Sequence, residues 1–356
     1  MKQKVICGIQ QVGIGVKSVK EAWPWYIDNF GFDVKIFDDE GTASLMLPYT
    51  GGKPQPRYAI LALNLRGGGG FEIWEPRGRE LNYPARIPRV GDYGIFTAKI
   101  KSPDVLAAYK AFTSKGLNVL SPINETPDGR KHFFMMDPWN NLFEIEEDSY
   151  VFINQKSLTG GANGAILGVA DMDRSINFYS KLLGYDTVVY DKTGQFKDLE
   201  QLPGGSINCR RVLLKPSKAP QGPLSEIMGT SHIELIQNLE TDTDKAAKIY
   251  EGRLWGDPGF IHLCFDIRNM DTLHEEVKDL GLDFVCDSGL DFDMGDANGH
   301  FTYVEDPSGT LIEFVETFKV PIAKKLGLVL SLADKDDLKP LPRYLTKALR
   351  FLRTRK

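Results

Sequence analysis

A histidine stands in the middle of an apolar run, Gly259-Phe260-Ile261-His262-Leu263-Cys264-Phe265-Asp266-Ile267. A glutamate, Glu313, follows the turn Asp306-Pro307-Ser308-Gly309 in the run Thr310-Leu311-Ile312-Glu313-Phe314-Val315. Both runs are short, rich in β-formers and bounded by glycine or turn residues, so both read as strands. An imidazole nitrogen and a carboxylate oxygen on two strands of one sheet are donors that suit a divalent ion such as Zn, Ni, Co, Mn or Fe. Taken singly, each residue would suit a satisfied core position equally well. Two donors are also too few, so other parts of the chain must bring more.

The elements that would position them recur. Four times, a short β-like run leads into an amphipathic helix and then into strands that end with an acidic residue inside an apolar strand. The first copy opens at Gln10-Gln11-Val12-Gly13-Ile14-Gly15-Val16, and its helix runs from an N-cap at Ser18 to Phe30-Gly31, with Pro24 predicting a kink or an early start. It closes with Phe71-Glu72-Ile73-Trp74-Glu75-Pro76 after four glycines, Gly67 to Gly70. Those glycines precede a strand and not a helix, which excludes a phosphate loop. The second copy opens at Gly94, has a helix over 103–115 with Gly116 as C-cap, and closes with Asp137-Pro138-Trp139-Asn140-Asn141-Leu142-Phe143-Glu144, whose turn residues predict a hairpin.

The third copy opens at Gly164-Ala165-Ile166-Leu167-Gly168-Val169, has a helix over 172–183 and closes with Ser231-His232-Ile233-Glu234. An extra helix is expected over 242–250. The fourth opens at His262, has a helix over 271–280 and closes at Glu313. The polar, glycine-rich stretch 154–164 reads as a linker. The division that follows is 1–153 (copies one and two), 163–317 (copies three and four) and a helical extension, 318–356.

A length of 356 residues suits two ordinary domains. The four scattered cysteines, Cys7, Cys209, Cys264 and Cys286, form no metal-knuckle spacing and suit a reducing compartment. With no signal-peptide pattern and no apolar run near the ~20 residues of a membrane span, a cytoplasmic location is expected. The net charge of −5 is uneven. Eleven Lys/Arg face three Asp/Glu beyond Thr317, and the body is correspondingly acidic, so no nucleic-acid partner is expected. The basic tail carries Tyr344, Leu345, Ala348, Leu349 and Leu352 on one helical stripe and reads as a docked helix with a solvated basic face. The sharper alternative is a membrane-surface or partner-binding arm.

Four units with these Asp-Pro turns, together with the helix endings Phe30-Gly31-Phe32 and Phe178-Tyr179-Ser180-Lys181-Leu182-Leu183-Gly184-Tyr185, resemble the vicinal oxygen chelate superfamily. That superfamily includes glyoxalase I, methylmalonyl-CoA epimerase, extradiol dioxygenases and bleomycin-resistance proteins. The resemblance covers about residues 6–316. It implies an α+β fold: four βαβββ modules paired into two cupped mixed β-sheets with helices outside, followed here by the basic helical tail. It also implies that each module can give one ligand from its first strand and one from its last. The first-strand position lies five residues before the strand's closing aliphatic residue, which points to Gln11, Ile95, Gly164 and His262. The last-strand positions are Glu72, Glu144, Glu234 and Glu313.

Modules two and three thus keep only their glutamates. If module one pairs with module four, a single complete set appears: Gln11, Glu72, His262 and Glu313, the Gln/Glu/His/Glu combination of eukaryotic glyoxalase I. The alternative set, if modules three and four pair, is His232, Glu234, His262 and Glu313. His300 and Lys131 open third strands, where the resemblance places a polar pocket residue.

The function these positions imply is a divalent-metal-dependent, glyoxalase-like enzyme that moves a proton beside a carbonyl (isomerase, epimerase or lyase) on a small molecule. Glu313 would act as the catalytic carboxylate with Glu72 as its counterpart. The alternatives are a metal-free small-molecule-binding protein of the bleomycin-resistance kind and a non-haem iron ring-cleaving dioxygenase. Glutathione-binding members carry basic and amide side chains where this chain has Gly15, Pro76 and Pro258, which gives no ground for glutathione. A homodimer is left open.

Overall fold

The structure, a computed structural model, describes residues 2–241, 245–290, 292–294, 297–323 and 328–354. The first module comprises β1 (Val5–Gly15), α1 (Val19–Phe30), β2 (Val34–Ala43), β3 (Gln55–Leu63) and β4 (Gly70–Pro76). The second has β5 (Gly94–Ser102), α2 (Val105–Ser114), the short β6 (Asn118–Val119) and β7 (Asn124–Glu125), then β8 (Lys131–Met136) and β9 (Leu142–Glu147). The third has β10 (Ala162–Gly168), α3 (Met172–Leu183), β11 (Thr187–Gly194), β12 (Cys209–Lys215), a single helical turn α4 (Ser225–Met228) and β13 (His232–Asn238). The fourth has β14 (Gly259–Arg268), α5 (Met270–Asp279), β15 (Phe284–Asp287), β16 (Phe292–Met294), β17 (Ala297–Glu305) and β18 (Leu311–Ala323). β19 (Leu328–Ser331) and α6 (Arg343–Thr346), which continues as a 3₁₀ turn to Leu352, follow.

Two mixed sheets result. Within each module the first and last strands run parallel, as β1 with β4 and β14 with β18, while the other neighbours are antiparallel. One sheet has the order β15-β17-β18-β14-β1-β4-β3-β2 and so joins modules four and one. The other, β11-β12-β13-β10-β5-β9-β8-β6, joins modules three and two. The halves 1–153 and 163–317 are therefore each split between the sheets. β1 and β14 meet antiparallel with Gly13 opposite His262 and Gln11 opposite Cys264, and β5 and β10 meet with Ile100 opposite Ala162.

Module one touches module two, and module three module four, through helices and Asp-Pro turns. In each turn the aspartate accepts backbone N–H groups, those of Trp139 and Asn141 at Asp137 and those of Ser308 and Thr310 at Asp306. The phenol of Tyr26 on α1 then donates to Asp137 at 2.6 Å, and that of Tyr179 on α3 donates to Asp306 at 2.8 Å. Around these joints, apolar stripes of α1, α2, α3 and α5 pack with both sheets in one core that includes Phe30, Phe71, Phe143, Leu182 and Phe265. Burying each such side chain contributes about 1.5–3 kcal/mol.

Helix capping separates the modules. Asp104 and Asp171 cap α2 and α3 from their own chain ends. Ser18 does not use its hydroxyl for α1; the carboxylate of Glu75 accepts from Val19 N instead, at 2.9 Å. Glu316 does the same for the Asn269 and Met270 N–H groups at the start of α5. Both caps lie three residues beyond a module's last-strand glutamate, on the opposite strand face.

The stretch expected as a linker is ordered, and 162–164 belong to β10. Thr159 donates through Oγ1 to Phe30 O at 2.7 Å. Of the extra helix expected over 242–250, residues 242–244 lie outside the described residues, 245–247 are irregular, Lys248 forms a bridge with Tyr93 and 249–250 begin a turn, so no helix forms over 245–250. The extension is only partly helical: its first residues prolong β18, and β19 pairs with that strand. The final turn then crosses to β2, where Thr354 N donates to Asp33 O and Arg353 bridges Val34. Leu349 from the expected stripe is buried, whereas Tyr344 stays 74% exposed.

Candidate metal centre

Gln11 projects from β1, Glu72 from β4, His262 from β14 and Glu313 from β18. The register explains why they meet. Glu72 sits opposite Gly13 and Glu313 opposite Cys264, so each glutamate lies beside a first strand, two residues along from that strand's Gln11 or His262. With a period of two, all four side chains emerge on one face. Gly13 is required by this arrangement: a Cβ there would lie 2.4 Å from His262 Cε1.

The four are nearly or fully buried, His262 at 0% exposure. His262 Nε2 lies 3.2 Å from Glu72 Oε2 and 3.1 Å from Glu313 Oε2. Gln11 Nε2 donates to the same two oxygens at 3.3 and 3.4 Å. One ligand atom each from Glu72, His262 and Glu313 lies within 4.8 Å of the others.

Two donors are left over. Gln11 Oε1 and His262 Nε2 are buried without a hydrogen-bond partner among the described residues, the imidazole nitrogen being near both carboxylates but off a hydrogen-bonding angle. An unpartnered imidazole nitrogen converging with two carboxylates, and beside them an amide whose oxygen is also unpartnered, fit a divalent ion of the zinc to manganese range.

Burial alone would push the His262 imidazolium down, but the charges of Glu313 and Glu72 outweigh it and raise the group to about 10. The Glu313 carboxyl, despite its burial, is held below its ordinary value by His262. Tyr303 is pushed well up by burial and by the two glutamate charges, so it keeps its proton. Its Oη lies 3.4 Å from His262 Nδ1.

Gln11, Glu72 and Glu313 face a cavity of about 250 Å³. Its walls are largely apolar: Trp74, Trp255, Tyr303, Leu61, Ile227, Val320 from the end of β18 and, from the C-terminal crossing, Leu349. Trp74 and Trp255 stack edge to face at 4.5 Å. His300 also lines the cavity, whereas Lys131 is exposed at the start of β8.

The alternative set does not assemble. His232 and Glu234 belong to β13 in the other sheet, where His232 Nε2 lies 2.9 Å from Glu146 Oε1 and Glu234 pairs with Arg211 and Lys99. In module two the counting rule misplaces the first-strand position. Lys99 lies opposite Glu144, so the residue two before it is Thr97, not Ile95. Gly13, Tyr303 and Lys99 were missed by the sequence reading because their roles depend on strands paired far along the chain.

The profile of the Glyoxalase/Bleomycin resistance protein/Dioxygenase superfamily matches residues 8–145 and 161–314. No curated protein sequence gives a significant match. Among solved structures, glyoxalase I from Zea mays is 15% identical with a TM-score of 0.54, covering 88% of this chain and 92% of that one. A candidate dioxygenase from Bacillus subtilis is 14% identical with a TM-score of 0.56, covering 88% and 86%. At such identities the likeness is one of fold. With both repeats matched by the profile, the chain belongs to the Glyoxalase/Bleomycin resistance protein/Dioxygenase superfamily.

Proposed function

We propose that the chain is a divalent-metal-dependent enzyme of the glyoxalase type, which moves a proton at a carbon next to a carbonyl on a small, largely apolar molecule. The observation that carries this reading is the convergence of Gln11, Glu72, His262 and Glu313 at the cavity with Gln11 Oε1 and His262 Nε2 unpartnered. These four residues would hold the ion, and its chemistry is that of a Lewis acid on the carbonyl oxygen.

The remaining work falls to the side chains. Apolar walls around Trp74 and Trp255 take up the substrate's hydrocarbon part and exclude water. Tyr303 Oη accepts the Nδ1–H of the His262 tautomer that leaves Nε2 facing the carboxylates. Glu313 removes the proton from the carbon, the electron pair of the broken C–H bond becomes part of a C=C bond, and the carbonyl oxygen takes the negative charge. Glu313 then returns that proton to carbon, directly or by way of Glu72: on the opposite face of the same carbon this gives an epimer, and on the former carbonyl carbon of an α-hydroxy substrate, with the hydroxyl proton passing to the oxyanion, an isomer.

The test is proton exchange. In deuterated buffer, protein purified without chelators and supplied with small hydrophobic α-hydroxy or α-keto carbonyl compounds should wash out the α-proton, followed by NMR. Glu313→Gln should slow that exchange by about 10²–10⁴-fold. Tight ligand binding with neither stoichiometric metal nor exchange would instead favour a sequestering protein. Iron with oxygen uptake would favour a dioxygenase.

A further inference from the structure

We propose that His274, Asp287 and His300 form a second metal-binding site, for a transition-metal dication of the zinc, nickel, cobalt or ferrous class, at the edge of the sheet that holds the candidate centre. The three donors come from separate elements: His274 from α5, Asp287 from the end of β15 and His300 from β17. One ligand atom from each lies within 4.8 Å of the others. His300 Nε2 is 2.5 Å from Asp287 Oδ1, and His274 Nε2 is 2.7 Å from Oδ2, so a single carboxylate lies between two imidazoles. Two imidazoles and one carboxylate are a donor set for borderline dications that leaves coordination positions open.

Orientation separates this cluster from ordinary His–Asp ion pairs. His274 Nε2 is buried and makes no hydrogen bond, although the carboxylate oxygen is 2.7 Å away. A nitrogen this close to an anion, yet off the line of a hydrogen bond, is a donor that a third body would satisfy. His262 Nε2 stands in the same relation to Glu72 and Glu313. His300 is 5% exposed, and its Nδ1 is also without a partner among the described residues. The His274 ring is fixed edge to face on Phe284, 4.6 Å between centroids, and the Asp287 carboxylate is further anchored by the Gly289 N–H at 2.8 Å.

An ion held here would tie α5 to β15 and β17. β17 carries His300, Phe301 and Tyr303 into the cavity wall, so the ion would brace one side of the cup without sharing a ligand with the candidate centre. The proposal stands whether or not the cup itself is catalytic.

The test is a calorimetric titration of the demetallated full-length protein with Zn²⁺, comparing wild type with His274→Gln, Asp287→Asn and Glu313→Gln. The His274 side chain is 30% exposed on a helix surface, so its replacement leaves the core intact, and circular dichroism checks this. Expected is one equivalent that survives in Glu313→Gln and is lost, or weakened by more than the ~100-fold typical of outer-shell changes, in both other variants. Co²⁺ added to Glu313→Gln should give visible ligand-field bands that His274→Gln in the same background removes. If His274→Gln and Asp287→Asn bind as many equivalents as wild type, with the same affinity, the proposal fails. Loss of all binding in Glu313→Gln would also overturn it while supporting the cup. Binding that is lost only in His274→Gln and Asp287→Asn would support it and count against the metal-dependent reading of the cup.

Discussion

Each of the two sheets buries a pair of last-strand glutamates, Glu72 and Glu313 in one and Glu144 and Glu234 in the other, and the two pairs are neutralised in different ways. In the sheet of modules two and three, Lys99 occupies the register position opposite Glu144 that Gly13 occupies opposite Glu72. Its ammonium pairs with Glu144, with Glu234 at 2.7 Å and with Glu146 at 3.5 Å. Burial would depress the Lys99 ammonium, but the three carboxylates hold it well above its ordinary value. Arg211 pairs with Glu234 and Asp198, Arg130 with Glu146, and His132 with Glu144.

In the sheet of modules one and four, the glycine leaves room for the His262 ring. Among the described residues, no lysine or arginine forms an ion pair with Glu72 or Glu313; only His262 does. A buried carboxylate must be paired. One cup pairs its glutamates with lysine and arginine cations of the chain, whereas the other sets only the His262 imidazole beside them.

The contrast can be broken most forcefully at Lys99. Lys99→Met leaves buried glutamates uncompensated and should cost about 3–5 kcal/mol in urea unfolding. A loss below about 1 kcal/mol would show that the lysine is not what neutralises this cup. A smaller effect follows from His132. Burial lowers this imidazole, but Glu144 and Asp198 outweigh it and raise it to about 9. A folded value above the unfolded ~6.5 stabilises fully below pH 6.5, and that contribution fades as pH rises through 9. Wild type should therefore lose on the order of 3 kcal/mol between pH 6 and 9.5 relative to His132→Gln. Parallel pH profiles would place His132 outside the network. The smallest effect is at the other cup. Gly13→Ala should cost about 1–3 kcal/mol by displacing the His262 ring, and metal affinity should fall with it. Unchanged affinity would mean that the glycine is not what admits the imidazole.

Much of this was legible in the sequence because strands alternate and modules repeat. The Asp-Pro turns marked the closing strands, and counting back along the opening strands led to Gln11 and His262, which the structure places together with Glu72 and Glu313. The same count failed at Ile95 because it rests on one strand's own pattern, whereas the position beside Glu144 is set by the register of β5 against β9, which points to Thr97. His232 shows the limit differently: its spacing from Glu234 was correct for one strand face, but sheet membership decides what a face sees. Lys99 looked like any polar residue in a strand, and its three carboxylate partners come from two other strands. His274 and His300 drew no joint reading, since a helix and a strand must first be packed before their side chains converge on Asp287.

The pairing of the first module with the last also orders events during synthesis. Gln11 and Glu313 are 302 residues apart, and β1 finds β14 only after modules two and three have been made. Until then the newly made first module presents an unpaired β1 edge, the kind of edge that recruits other chains. Modules two and three, adjacent in sequence, can close their sheet first, which leaves the outer pair to join last across a contact of very high sequence separation. Refolding from denaturant should accordingly be slow and concentration-sensitive, with the lysine-neutralised cup protected early and the candidate metal centre assembled at the end.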